Sequence, residues 1–169
     1  MKKEFFIAYL LLTVAQMFIC NYFHLSAYVM LSILPVMVLC IPIRIGTVGA
    51  MCIAFATGLA VDLLSEGILA LNVLALVPVA FARNGIIRLI FGGELFSRKE
   101  DFSIRKSGFG KVAMALLIAQ ALFLVVYIWA DGAGTRPFWF NAARFGASLA
   151  AGFVVSLLLV DTLAPDSRK

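Results

Sequence analysis

Residues Ile53 to Gly85 read IAFATGLAVDLLSEGILALNVLALVPVAFARNG. Two apolar runs flank a short break at Ser65-Glu66-Gly67. Each run approaches the roughly 17–25 residues needed to cross a hydrocarbon core about 30 Å thick. So little chain separates them that the second must return antiparallel to the first. A hairpin of two membrane-crossing helices is therefore the unit around which the rest of the chain is arranged.

Outward from this hairpin the pattern repeats. Apolar runs cover Phe5–Phe23, Leu25–Ile41, Ile45–Leu64, Ile68–Phe91, Val112–Trp129 and Phe138–Leu163. The weakest divide is the thin polar break at Asn21, His24 and Ser26. A single helix through it would be too long for a bilayer. The 169 residues are 63% hydrophobic and 14% charged, with a mean hydropathy of +1.05. A soluble domain of this size has too little interior to hide so much apolar surface. The expectation is an all-α integral membrane protein, one polytopic domain over residues 1–169, built as a bundle of about six transmembrane helices. Met1-Lys2-Lys3 and the run that follows resemble a signal peptide, but Met17-Phe18-Ile19 offers no small-residue cleavage site, so a retained first helix is expected. Cys20, Cys40 and Cys52 lie inside apolar runs without metal-ligand or disulfide spacing and read as packing residues. Pro35 and Pro78 fall within spans and read as bends.

The net charge of +5 reads as an orientation signal rather than a nucleic-acid surface, because the cations sit beside apolar runs. With a cytoplasmic N-terminus, Lys2, Lys3, Arg44, Arg98, Lys99, Arg105, Lys106, Lys111, Arg168 and Lys169 face inward, with Arg83 and Arg88 on the inner half of the fourth span. Only Arg136 and Arg144 fall outside. That bias predicts both termini in the cytoplasm and an inner-membrane location. The cytoplasmic loop Gly92 to Gly110 mixes charged residues with Phe96, Phe102 and Phe109, a pattern suited to anionic headgroups, a docking partner or a solvated connector.

Charge inside hydrocarbon costs at least roughly 2.5–3.5 kcal/mol, so each instance calls for a partner or a role. Asp62 stands out. Depth matching across a hairpin centred near Gly67 sets it against Asn72, and Gly58, one turn earlier, lets a neighbouring helix approach closely. Arg144, entering the sixth span from the same side, is a second candidate partner. Interfacial exposure and a proton or ligand site are the remaining readings of Asp62. Asp131 and Asp161 lie at span ends, where interfacial water suffices. In the sixth span Ala143, Ala147 and Ala151, beside Gly146 and Ala150 and continued by Gly152 and Ser156, form a small-residue ridge. Such a ridge packs within the bundle or receives another subunit's helix.

Motifs for chemistry are missing. His24 has no Ser, Cys or metal-ligand array around it, and no phosphate cradle, dinucleotide fingerprint or HExxH occurs. No enzyme, no cofactor and no metal are expected.

The Ile53–Gly85 stretch resembles the core signature of the rod-shape-determining protein MreD family. In that pattern a helix ending Gly-Leu-x-x-Asp-Leu turns through a small-residue loop into another apolar helix. Gly58, Leu59, Asp62 and Leu63 match it, with Gly67 in the turn and Asn72 early in the next helix. The chain departs at Ile68-Leu69-Ala70-Leu71, where family members often carry a Gly, and at Phe81, commonly Tyr. The resemblance implies a non-enzymatic membrane subunit of the cell-elongation machinery, a scaffold between an MreC-like protein, an MreB-like filament and the peptidoglycan polymerase with its transpeptidase. It leaves a homodimer open. The rival reading is the substrate-binding subunit of an energy-coupling-factor vitamin transporter. That class docks through an Ala-x-x-x-Ala ridge on the first helix, where this chain has Ala8 with Leu12 and Ala15 with Ile19.

Overall fold

A computed structural model describes residues 3–22, 29–66, 70–92, 108–132 and 136–163. Regular structure among them is helical. Helix α1 runs Lys3–Tyr22, α2 Leu34–Leu39, α3 Thr47–Val61, α4 Leu71–Phe91, α5 Phe109–Gly132 and α6 Phe138–Leu163. Helix α3 continues into a π-helical turn over Asp62–Glu66. Five of these helices are long and apolar enough to cross a membrane; at about 1.5 Å per residue, 20 residues match its hydrocarbon thickness.

The distribution of side chains is inverted relative to a soluble protein. Leu89, Phe81, Phe18, Leu158 and Trp139 face outward, whereas Gln16, Ser32, Asp62, Asn72, Arg83, Gln120, Ser148 and Ser156 are buried. In water that exterior would be a severe aggregation hazard. In lipid it costs nothing, and polar groups are instead favoured inside, where partners can be found. The molecule is a multi-pass membrane protein.

The second apolar run departs from expectation. Instead of one helix over Leu25–Ile41, helix among its described residues is confined to six residues, Leu34–Leu39. Pro35 sets the start: its fixed φ and missing N–H suit the first turn. It is therefore an initiator rather than a mid-span bend. Pro42, two residues beyond the C-cap Cys40, keeps the helix from resuming. This short helix is wholly buried and packs against α4 and α5 most closely, with α1, α3 and α6 also in contact. The bundle thus closes around an apolar segment whose described residues are only partly helical. Pro78, by contrast, does sit inside α4.

Antiparallel packing of α3 on α4 is fixed at two depths. Asn84 Nδ2 donates to Thr47 Oγ1 at 2.7 Å near one end, and Gly58 meets the backbone of Val73 near the other. Between α5 and α6, Gly132 lies beside Asn141 and Gly152 beside Gln120.

Candidate functional site

The most constrained polar cluster lies where α3 ends and α4 begins. Ala70 precedes α4 with a left-handed φ of 76° and has no side chain able to cap. The first amide groups of α4 would go unsatisfied. Asp62 supplies the cap from across the hairpin. Its Oδ1 accepts from the backbone N–H of Asn72 at 3.0 Å and from Asn72 Nδ2 at 2.9 Å. Its Oδ2 accepts from the backbone N–H of Val73 at 3.2 Å. The carboxylate is fully buried and sits at the positive end of the α4 dipole. Three charge-assisted bonds at roughly 1.5–3 kcal/mol each outweigh the insertion cost of one carboxylate.

Gly58 makes this reach possible. A Cβ there would lie 2.9 Å from both Val73 Cα and Val73 N. Any larger residue would push α4 away and carry its N-terminus out of range of Asp62. Gly58, Asp62 and Asn72 thus act together as one clamp. Gly67 lies outside the described residues.

Arg144 is not part of this cluster. It pairs with Asp131 across the α5–α6 turn, and Arg136 Nη1 reaches the same Asp131 oxygen at 2.9 Å. The physical reason is proximity: Asp131 is close in depth on the adjacent helix, and the α4 amides already occupy Asp62. Asp131 is accordingly an ion-pair hub rather than a solvated end residue.

The small residues of α6 divide between two faces. Ser148, Gly152, Ser156 and Val160, four apart, form the buried face. Ala143, Gly146 and Ala150 are exposed, while Ala147 and Ala151 are half-buried. A Cβ on Gly146 would meet nothing within 4 Å. Gly152 and Ser156 therefore belong to the bundle face and do not continue the Ala143–Gly146–Ala150 ridge, which points outward.

A second set of polar residues holds the non-helical segment before α2. Gln16 of α1 accepts from the Ile33 N–H at 2.8 Å and donates to the Leu31 carbonyl at 3.3 Å. One side-chain amide thus serves two backbone groups of a segment that has no regular partner. Ser148 Oγ of α6 accepts from the Met30 N–H at 2.8 Å. Gln120 Nε2 of α5 reaches the Ser32 carbonyl at 3.4 Å, and Gly152 leaves the room it occupies, since a Cβ there would fall 2.3 Å from that nitrogen. Below α2, Arg83 of α4 donates through Nε to the Leu39 carbonyl at 3.2 Å and through Nη2 to the Ile41 carbonyl. The guanidinium is fully buried, so Arg83 works in the interior rather than at a headgroup surface. Four helices each contribute a side chain to a backbone that has no ladder of its own. A further bond, Tyr9 Oη to Thr57 Oγ1 at 3.0 Å, ties α1 to α3; Thr57 gives its own proton to the Ile53 carbonyl, so Tyr9 is the donor.

Among the described residues no group of His, Cys, Asp and Glu is placed to hold a metal ion. The three cysteines are free, Cys40 buried and Cys52 outward-facing. His24 and residues 93–107 of the Gly92–Gly110 loop lie outside the described residues. Comparison with family models, characterised proteins and solved structures finds no match to this chain.

Proposed function

We propose that the protein is a non-enzymatic scaffold of the bacterial cell-elongation complex, resembling the MreD family, with an MreC-like protein, an MreB-like filament and a peptidoglycan polymerase–transpeptidase pair as its partners. The observation that carries this reading is the clamp. Gly58, Asp62 and Asn72, the residues on which the resemblance rests, converge on one interaction that fixes a helix hairpin. The polar interior points the same way. Gln16, Asp62, Arg83 and Ser148 are committed to backbone groups, which suits a rigid holder of other proteins better than a site that turns over substrate. The outward ridge Ala143–Gly146–Ala150 supplies a face on which a partner helix can lie close.

In this reading the protein sits in the inner membrane with both termini cytoplasmic. Five long helices alone would leave the ends on opposite sides, so the segment through α2 makes the sixth crossing. Irregular backbone is tolerated at membrane depth where protein buries it, and here its groups are met by Gln16, Ser148, Gln120 and Arg83.

Depletion in the native rod-shaped cell tests the function. Rounding of the cells is the expected outcome. A vitamin requirement without rounding would replace the scaffold by the transporter subunit.

A further inference from the structure

The α5–α6 end of the bundle carries a concentration of positive charge that the hairpin clamp does not use. Arg136 and Arg144 converge on a single carboxylate oxygen, Asp131 Oδ2. Two guanidinium groups on one carboxylate leave an excess of one positive charge. The Arg144 side chain is 13% exposed, and its Nε, buried, has no acceptor among the described residues. A buried guanidinium donor is costly to leave unmatched. Arg136, 40% exposed, lies over the Phe140 ring with 5.7 Å to the centroid, a contact that holds the cation at the rim.

The surroundings fix the depth. Trp129 lies in the last turn of α5 and Phe138 and Trp139 begin α6, and all three project outward, at 73%, 76% and 82% exposure. Tryptophans so placed belong at the level of lipid headgroups. At that level the commonest anion is a phosphodiester, whose oxygens match the guanidinium fork.

We propose that Arg136 and Arg144 form a binding site for a phosphate group, carried by the headgroup of an anionic phospholipid. Asp131 orients the two guanidiniums by holding one donor of each, and the phosphate takes the outward donors. The aromatic side chains pack on the upper acyl chains. The ligand seats the α5–α6 end at a defined height in the membrane.

The test uses the full chain purified in detergent, stripped of lipid, and titrated with phosphatidylglycerol or phosphatidylcholine under native mass spectrometry. Wild-type protein should retain phosphatidylglycerol in preference to phosphatidylcholine. Arg136→Gln and Arg144→Gln should each weaken that retention about fivefold. Arg136→Lys should recover only part of it, because an ammonium cannot present the fork. Excess inorganic phosphate should leave the lipid bound; displacement by phosphate would reassign the site to the free anion. Should Arg144→Gln fail to keep its helical circular dichroism, Arg136→Gln, at the exposed rim, decides the matter. Equal retention of phosphatidylglycerol by wild type and a folded Arg136→Gln variant would overturn the site.

Discussion

At the scale of single residues, Asp62 is heavily committed, since both its oxygens serve the start of α4. Replacing it with Ala should destabilise the protein by about 3–5 kcal/mol, the range for stripping one partner from a buried charged contact. Asp62→Asn keeps one acceptor oxygen and should lose less. Thermal unfolding in detergent orders the pair, and equal midpoints for Asp62→Ala and wild type would refute the cap. Gly58→Ala should cost about 1–3 kcal/mol through the Cβ contact with Val73. The Asp62–Asn72 pairing was legible in the sequence, because an intramembrane carboxylate needs a partner and hairpin depth matching names it. Its two backbone bonds were not, since nothing in Leu69-Ala70-Leu71 announces an uncapped helix start. The Asp131–Arg144 pair was equally open to depth matching across the α5–α6 turn.

At the scale of elements, the segment before α2 is held by side chains rather than by a hydrogen-bonded ladder. Gln16→Met, similar in shape, should strand the Ile33 N–H and the Leu31 carbonyl and cost about 2–6 kcal/mol from two orphaned groups. Amide hydrogen exchange at Ile33 should quicken in this variant while exchange in α4 stays slow; unchanged exchange at Ile33 would contradict the role given to Gln16. An apolar run reads alike whether it becomes a helix or buried irregular backbone, which is why the second run was legible as apolar and buried but its irregular described residues before Leu34 were not. The available signals were Pro35 within the run, Pro42 directly after it, and the isolated Gln16 and Gln120. Those glutamines are remote in sequence from the backbone they serve, so only the fold joins them. On α6, Gly146→Leu with Ala150→Leu should abolish co-purification of an MreC-like partner and leave membrane insertion intact. Ala147→Leu with Ala151→Leu, at half-buried positions, should weaken co-purification and stability together. Undiminished recovery of the partner with the Gly146/Ala150 pair would remove this face as the docking surface.

At the scale of the molecule, five long helices surround an apolar segment whose buried backbone is met by polar side chains from four of them. The helical class and the long spans followed from run length. The inverted interior explains why buried Gln, Ser and Arg coexist with an exterior of Leu, Phe and Trp. The same architecture makes the parity of crossings depend on one short stretch. If the segment through α2 crosses, the two ends share a side; if it turns back, they part. The direct measurement is substituted-cysteine labelling, in a background lacking Cys20, Cys40 and Cys52, of single cysteines at Lys3 and Lys169 in intact cells and in inside-out vesicles. Protection of both positions in cells and labelling of both in inverted vesicles is the predicted result. Labelling of Lys3→Cys in intact cells, with Lys169→Cys protected, would contradict the sixth crossing.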